Sequence, residues 1–228
     1  MTRLMEPNPR TGRKVARVLI VDDHPIVREG YAKLIGSQPD LEVCGDAADA
    51  GEALRLVETT KPDLIVIDIS LKEGNGIELC KDIRFQYPQV KMLVASAHDE
   101  ALYAERVLRA GATGYVNKEE AIDQLIEAIR LVLSGKIYLS DEMTERMLCR
   151  AVGSDDHAGE SAVASLSDRE IEVFEFIGHG MTTRQIAEKL DLSPKTIESY
   201  RENIKTKLNL KNGAELTQHA VRWVLESH

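Results

Sequence analysis

The first half of the chain contains four short apolar runs, and each run ends beside a polar residue that can bind phosphate or metal. Uninterrupted apolar runs of this length predict buried parallel strands, and open α/β sheets bind ligands beyond the carboxyl ends of their strands. We therefore expect the polar residues to meet at one edge of a sheet. The runs and the residues that follow them are Val18–Val21 with Asp22 and Asp23, Leu64–Ile67 with Asp68, Met92–Ala95 with Ser96, and Tyr115-Val116 with Lys118.

Segments with helical spacing alternate with these runs. Pro25 stands at a favourable first helical position, and Leu41–Cys44 supplies a further strand. The turn Gly74-Asn75-Gly76 leads into another helix, and a last one carries Leu125 and Ile129 on its apolar side. Repeated βα units predict an α/β fold with a doubly wound, five-stranded parallel sheet.

Beyond residue 165, three helix starts use the same capping device. Ser167 is followed three residues later by Glu170, and Thr182 by Gln185, which are capping-box patterns. The third helix starts at Ser193, after a turn of only three residues. A short helix, a tight turn and a longer helix are typical of the helix-turn-helix. A fourth helix after residue 212 completes a predicted all-α domain of four helices.

These patterns divide the chain into four parts. We predict a disordered leader over 1–15, the α/β domain over 16–136, and the helical domain over 165–228. Residues 137–164 should contain a short helix from Asp141 and then a flexible linker, because Gly153–Ser161 is small, polar and aperiodic.

Charge and hydropathy limit the function classes. The 228 residues have a net charge of −9, so any contact with nucleic acid must come from a local patch. The segment 165–228 has five Lys and four Arg against two Asp and eight Glu, a net charge of −1. No apolar stretch reaches the length of a membrane span, and no signal-peptide core follows the basic N-terminus. We expect a cytoplasmic protein with no membrane partner.

The acidic residues at the predicted sheet edge call for a cation. Asp22, Asp23 and Asp68 would repel one another strongly if all three were ionised together. Mg²⁺ prefers oxygen ligands and is commonly held by one or two carboxylates together with phosphate oxygens. Lys118 adds a positive charge at the same edge. An acid at a strand end is often only a solvated loop residue, but four such positions in sheet order favour a site for Mg²⁺ and a phosphoryl group.

These residues carry a family resemblance. The segments Val21–Pro25 and Gly114–Lys118, with Asp68 and Ser96 between them, resemble the flavodoxin-like receiver domain of two-component response regulators. With Ser167–Glu226, which includes Thr196-Ile197 and Lys207-Leu208, the whole chain resembles the NarL/FixJ family with its LuxR-type helix-turn-helix domain.

The resemblance implies a role for each matching residue of the receiver. Asp68 would accept a phosphoryl group from a partner histidine kinase. Asp23, Asp68 and the carbonyl of Ser70 would bind Mg²⁺ directly, and Asp22 would bind it through water. Ser96 and Lys118 would contact the phosphoryl oxygens. Tyr115 would be a switch residue that enters the space Ser96 leaves, although a plain core aromatic explains it equally well.

The same resemblance associates the positions of Ser70 and His98 with the lifetime of the acyl phosphate. It predicts neither the direction nor the size of the effect in this chain.

The predicted third helix of the C-terminal domain is the candidate DNA-reading helix. Advancing by about 100° per residue places Ile197, Ile204 and Leu208 inward and Lys195, Ser199 and Glu202 outward. Lys195–Lys211 contains five basic and two acidic residues, a local balance of +3. A solvated helix face is the plainer explanation, but the capped helix after a tight turn favours DNA contact. The candidate contacts are Lys195, Thr196, Glu198, Ser199, Arg201, Glu202, Lys205 and Lys207.

These features predict a transcriptional regulator, not an enzyme, that is switched by phosphorylation and binds double-stranded DNA as a homodimer. The resemblance places one dimer contact on the last helix, at Leu216, Ala220 and Trp223. Three alternatives stay open. One is a Mg²⁺ phosphohydrolase, which would need a second acid where Ser70 stands. Another is a nucleotide-binding module, which would need a Gly-rich loop after the first strand. The third is a regulator that works without phosphorylation.

Overall fold

The computed structural model describes residues 15–71, 74–98, 100–118, 122–151, 163 and 165–226. Almost all of the predicted leader, and the predicted linker Gly153–Ser161, lie outside the described residues. None of the helices in the described part of the chain combines the length and the hydropathy that crossing a bilayer requires.

The N-terminal domain is a parallel sheet of five strands in the order β2-β1-β3-β4-β5, which confirms the predicted fold class. Helices follow the strands in alternation, as short βα connections require. The strands are β1 (Ala16–Val21), β2 (Leu41–Ala47), β3 (Leu64–Ile67), β4 (Lys91–Ser96) and β5 (Tyr115–Asn117). The helices are α1 (Pro25–Gly36), α2 (Ala50–Thr60), α3 (Gly76–Gln86), α4 (Glu100–Ala110) and α5 (Ile122–Leu133).

The alternation of side chains along each strand places an apolar cluster on each face of the sheet. Leu19, Ile65 and Met92 pack on one face, whereas Ile20 and Val66 pack on the other. Because both faces are covered, the stretches Val18–Val21, Leu64–Ile67 and Met92–Ala95 of the central strands are apolar at every position. Strand β2 lies at the sheet edge and runs three residues further than the expected end at Cys44, which a polar residue such as Asp46 tolerates because the edge faces solvent.

Strand register brings the polar residues together. Val21 pairs with Ile67, so Asp22 and Asp68 follow at the same level of the sheet. Backbone bonds continue the pairing by one residue at this edge: Asp68 N donates to Val21 O at 2.8 Å and Lys118 N donates to Ser96 O at 2.9 Å. The site is thus built on the ends of a rigid sheet.

After β5, all the regular elements among the described residues are helices. The predicted helix from Asp141 is present as α6 (Asp141–Ala151), and the Ser140 hydroxyl accepts from Met143 N at 3.1 Å. The helix-turn-helix domain consists of α7 (Asp168–Gly178), α8 (Thr183–Lys189), α9 (Pro194–Lys207) and α10 (Gly213–Glu226).

All three predicted caps of this domain form. Ser167 and Thr182 make reciprocal capping boxes, and the Ser193 hydroxyl accepts from the Thr196 amide. Asp191 adopts a left-handed φ of 52°, which allows the chain to reverse within the short turn between α8 and α9. The start and the orientation of each helix are therefore fixed by local hydrogen bonds.

Helix α7 is buried along almost its whole length. Every residue from Glu170 to Ile177 is buried, although the segment includes three glutamates. Inside its own domain α7 packs on α9 and α10. Its remaining surface faces the receiver-like domain, and the apolar cluster runs from Tyr103 and Val107 of α4 to Phe174 and Phe176 of α7.

Lys207, the last residue of α9, connects the end of that helix to the start of α7. Its ammonium donates to Glu170 Oε2 at 2.6 Å and to the carbonyl of Ser165 at 3.4 Å. Burial alone would raise the pKa of Glu170, but the hydrogen bonds from Lys207 and Ser167 outweigh it and hold that pKa below its ordinary value of 4.5. Lys207 is itself exposed, so its predicted phosphate contact stays a prediction, although part of its charge is taken up by a buried carboxylate.

The Lys207 pair gives a pH-dependent prediction. Replacing Lys207 by Met should lower the free energy of unfolding by about 1 to 2 kcal/mol at neutral pH, because Glu170 is left buried without its charged partner. A carboxyl with a lowered folded pKa contributes stability above its ordinary pKa, and this is lost as the pH falls through the folded pKa. The difference from the wild type should thus shrink towards about pH 3.

Urea unfolding at both pH values measures this difference. Lys211→Met, at an exposed position just beyond the same helix, is the control and should change little. An equal loss in both variants at both pH values would contradict the assignment.

Gly76 gives a second prediction. A Cβ at this residue would lie 2.0 Å from the carbonyl oxygen of Asp68 and 2.8 Å from Ile69 Cα. Gly76→Ala should therefore destabilise the fold by about 1 to 3 kcal/mol, because backbone must move. Gly30 in α1 has nothing within 4 Å of such a Cβ, so Gly30→Ala should stabilise by about 0.5 to 1 kcal/mol. Urea unfolding of both variants tests the contrast, and equal effects would refute it.

Candidate functional site

An acidic pocket lies where strands β1 and β3 end. Asp22 and Asp68 are almost fully buried, with 1% and 4% of their surface exposed. Asp22, Asp23, His24 and Asp68 each have one oxygen or nitrogen atom that could bind a metal, and these four atoms all lie within 4.8 Å of one another. The structure thus brings together the three predicted carboxylates and adds His24, which the sequence analysis did not include.

Lys118 joins two of these carboxylates. Its Nζ lies 2.6 Å from Asp22 Oδ2 and 2.7 Å from Asp68 Oδ2. Burial would lower the pKa of Lys118, but the charges of Asp68 and Asp22 outweigh it and raise that pKa, so the side chain stays an ammonium. Burial raises the pKa of Asp68, and Lys118 opposes this rise.

Asp22 is held from three directions. Its Oδ1 accepts from the amide of His24 at 2.8 Å, its Oδ2 faces Lys118, and its carbonyl accepts from Arg28 at 2.7 Å. Asp23 is more open, with 24% of its side chain exposed, and its Oδ1 lies 2.6 Å from His24 Nδ1. Carboxylate oxygens of this number and spacing match the ligand preference of a hard divalent cation.

Ser96 and Tyr115 lie on the side of the pocket formed by β4 and β5. Ser96 is buried and its Oγ accepts from the amide of His98 at 3.4 Å. Tyr115 is fully buried, and its hydroxyl donates to the carbonyl of His98 at 2.5 Å. Both residues therefore contact His98, whose backbone lies between them.

The side chain of His98 connects the pocket to the helix-turn-helix domain. Its Nε2 lies 2.7 Å from Ser70 Oγ, and its Nδ1 lies 2.8 Å from Glu175 Oε2 of α7. The hydroxyl of Tyr103 also donates to Glu175 Oε2, at 3.1 Å. Ser70, which was expected to act through its carbonyl, presents its hydroxyl to this chain of contacts.

The charges of His98 and Glu175 support each other. Burial would lower the pKa of His98, but the hydrogen bond and charge of Glu175 outweigh it and raise that pKa. Burial would raise the pKa of Glu175, but His98 outweighs it and lowers that pKa. The contact is therefore a buried ion pair between the two domains.

Further polar contacts hold α7 against the receiver-like domain. Asp168 pairs with Lys81 of α3 at 3.1 Å and with Arg106 of α4 at 3.2 Å. Arg106 also donates to the carbonyl of Leu166 at 2.8 Å. Arg169 donates to the carbonyl of Gly74, in the loop that follows Asp68, at 2.6 Å. The acidic side of α7 thus meets cationic side chains of α3 and α4.

The outer face of α9 is accessible. Ile197 and Ile204 are fully buried, as predicted, whereas Lys195, Glu198, Ser199 and Glu202 are exposed. The remaining candidates, Thr196, Arg201 and Lys205, are partly buried. Lys205 pairs with Glu202 at 2.8 Å, and Arg201 lies 3.8 Å from Glu198. The acidic residues of the helix thus offset part of its basic charge.

The contact residues expected on the last helix need correction. Leu216 and Ala220 are fully buried inside their own domain, and Trp223 packs against Phe174 of α7 with ring centroids 5.3 Å apart. Leu216 and Ala220 are therefore not available to a second copy, whereas Trp223 is partly exposed and its predicted contact stays a prediction. The outer side of α10 instead exposes Val221 and Leu225, which are 36% and 74% exposed.

The sequence reasoning missed Glu175, although a signal was present. Ile171, Phe174 and Ile177 repeat at helical spacing, but Val173 and Phe176 are apolar as well, on another side of α7. A helix with two apolar sides requires a second covering surface. That signal predicts a contact outside the helix-turn-helix domain, yet it does not identify the partner.

Comparisons with known proteins agree with this architecture. Residues 18–130 match the family of response regulator receiver domains, and residues 164–220 match the LuxR family of bacterial regulatory proteins. The oxygen regulatory protein NreC of Staphylococcus haemolyticus is 36% identical over 210 residues, which cover 90% of this chain and 97% of that protein. The transcriptional regulatory protein DegU of Brevibacillus brevis is 32% identical over 232 residues, covering 95% and 98%.

Two solved structures resemble this chain over different lengths. RcsB of Salmonella enterica serovar Typhimurium, bound to the promoter rprA with the phosphomimetic BeF₃⁻, has a TM-score of 0.61 at 27% identity and covers 90% of this chain and 98% of RcsB. A LuxR-family response regulator from Aurantimonas has a TM-score of 0.57 at 39% identity, covering 61% of this chain and 99% of its own. The chain thus belongs to the two-component response regulators of the NarL/FixJ family, in which a receiver domain precedes a LuxR-type DNA-binding domain.

Proposed function

We propose that Asp68 is the phosphoryl acceptor of this response regulator, that the donor is a histidine kinase, and that the reaction requires Mg²⁺. One observation carries the proposal. Lys118 Nζ lies within 2.7 Å of a carboxylate oxygen of both Asp68 and Asp22. Asp23 and Ser96 lie at the same edge of the sheet. An ammonium group between two buried carboxylates is well placed to bind a phosphoryl group once one of them has been modified.

The pocket residues divide the work of phosphoryl transfer. Asp68 attacks phosphorus through a carboxylate oxygen, and the bond from phosphorus to the kinase histidine breaks with its electron pair left on nitrogen. Bound Mg²⁺ would supply charge compensation for the transferring oxygens. Asp23, Asp68 and the carbonyl of Ser70 would hold the ion, with Asp22 contributing through water.

Modification changes the balance of charge around Lys118. An acyl phosphate replaces one carboxylate charge with a dianionic group that has three acceptor oxygens. Lys118 and the Ser96 hydroxyl would then gain contacts that the unmodified state does not offer. A ligand shifts an equilibrium only through such differential contacts, so these two residues, together with Tyr115, would report the modification.

The output would be binding of double-stranded DNA by two copies of the chain. We assign base contacts to Lys195, Ser199 and Glu202, which are exposed on α9, and supporting contacts to Thr196, Glu198, Arg201 and Lys205. The weak local positive charge favours a homodimer that reads two half-sites one helical turn apart. Val221 and Leu225 lie one turn apart on the outer side of α10 and would form part of the dimer contact. We expect the protein to act in the cytoplasm.

Asp68→Asn tests the acceptor. The wild type, treated with a small acyl-phosphate donor and Mg²⁺, should gain one phosphoryl group by intact mass, and the variant should gain none because an amide is a poor nucleophile. In a mobility assay on promoter DNA at fixed salt, the treated wild type should bind more tightly than the untreated protein, by about tenfold if coupling is typical.

Chelation of Mg²⁺ and the variant Asp82→Asn serve as controls. Chelation should stop loading, whereas Asp82, on α3 outside the pocket, should be dispensable. Loading of Asp68→Asn to the wild-type level would refute the acceptor assignment. Equal DNA affinity before and after full loading would refute the switch.

A further inference from the structure

We propose that Glu175, a residue of the DNA-binding domain, is a positioning residue for the phosphoryl chemistry of the receiver domain. By holding the His98 ring on Ser70, it lengthens the lifetime of the phosphoryl group on Asp68. The proposal rests on the proposed function of Asp68 and adds a residue from the other domain to that site.

The contacts run from the acceptor loop to α7 without a gap. Ser70 lies two residues after Asp68, and its hydroxyl is 2.7 Å from His98 Nε2. His98 Nδ1 is 2.8 Å from Glu175 Oε2. Two hydrogen bonds therefore separate the DNA-binding domain from the loop that carries the acceptor.

Hydrogen bonds hold both the backbone and the ring of His98. Its backbone amide donates to Ser96, its carbonyl accepts from Tyr115, and both ring nitrogens have protein partners. The ring also packs against Tyr103, with centroids 4.7 Å apart. Tyr103 in turn donates to the same oxygen of Glu175 that contacts His98. Glu175 is thus the one group of α7 that aligns both rings.

A ring held in this way cannot assist hydrolysis. In the hydrolysis of the acyl phosphate, a water oxygen forms a bond to phosphorus, the bond to the Asp68 oxygen breaks, and the carboxylate, inorganic phosphate and one proton are released. An imidazole with a free nitrogen can orient that water or accept its proton. While Ser70 and Glu175 occupy both nitrogens, His98 does neither.

Loss of Glu175 should therefore shorten the life of the phosphoryl group. Full-length protein is loaded with a small acyl-phosphate donor and Mg²⁺, the donor is removed, and the remaining phosphoprotein is followed over time. Glu175→Met keeps the length of the side chain but removes the acceptor. We expect its half-life to fall by about threefold to tenfold, the size expected from the net contribution of one ordinary hydrogen bond.

Two further replacements separate this role from a loss of folding. Glu175→Gln keeps an acceptor oxygen at the same distance and should stay within about twofold of the wild type. Glu175→Asp stops one methylene short of His98 and should shorten the half-life as Glu175→Met does, which gives a second test if the Met variant does not load.

Glu172→Ala is the matched control on the same helix. Glu172 is even more deeply buried than Glu175, with 2% against 9% of its surface exposed, but it pairs with Arg169 of its own helix at 2.8 Å. The phosphorylated Glu172→Ala protein should have a half-life within about twofold of the wild type, because the variant loses the pair with Arg169 but keeps the contact between Glu175 and His98. A shortening equal to that of Glu175→Met would mean that any loosening of α7 suffices, and would overturn the specific role of Glu175.

A double-mutant cycle with His98 completes the test. In a His98→Phe background a flat aromatic ring remains, larger than imidazole and without nitrogens, so adding Glu175→Met should change nothing further. A half-life of Glu175→Met that equals or exceeds that of the wild type would overturn the proposal while leaving the acceptor assignment intact. Failure of the wild type itself to load would overturn both.

Discussion

The ammonium of Lys118 between Asp22 and Asp68 is the interaction on which the rest of the receiver site depends. Two carboxylates this deeply buried repel each other, by about 4 kcal/mol at 4 Å for an effective dielectric constant of 20. A single cation in hydrogen-bond contact with both reverses the sign of that energy. The sheet positions these three residues. Strand register places Asp22 and Asp68 at the same level, and the hydrogen bond from Lys118 N to Ser96 O holds Lys118 beside the end of β4. Charge added at Asp68 must therefore change the electrostatic environment of Asp22, Ser96 and Lys118 together.

The two domains meet through charge complementarity within an acidic chain. The face of α7 that carries Asp168 and Glu175 meets Lys81, Arg106 and His98 of the receiver. This contact covers the first helix of the DNA-binding domain while the outer face of the reading helix stays exposed. Masking of α9 is then not needed to explain the proposed switch, for which a change in how two copies pair through α10 would suffice. Through His98, the same contact extends to Ser70 in the loop that follows Asp68.

The sequence predicts most of this architecture because its signals are local. Apolar runs ending at Asp22, Asp68 and Ser96 predict the sheet and its functional edge, and the caps at Ser167, Thr182 and Ser193 predict the helix starts. The errors involve contacts between distant segments. The local sequence identifies Lys207 as a basic residue at the end of α9, but it does not show that Glu170, in another helix, pairs with it. Leu216 and Ala220 were predicted as dimer contacts but fill the core of their own domain, because local sequence does not show which helices pack against each other. The partner of a second apolar side, as on α7, depends on how whole domains dock, and local periodicity holds no information about that.

Hydrogen exchange of the full-length protein, with and without Mg²⁺ and beryllofluoride, tests the central claim that one pocket is physically connected to α7. The account predicts slower exchange at once in the separate segments that carry Asp22, Asp68, Ser96 and Lys118, and a changed rate in Asp168–Gly178. Asp68→Asn protein should show neither effect. Protection of the pocket segments with exchange in Asp168–Gly178 left unaltered would contradict the connection, and protection of only one of those segments would contradict the shared pocket.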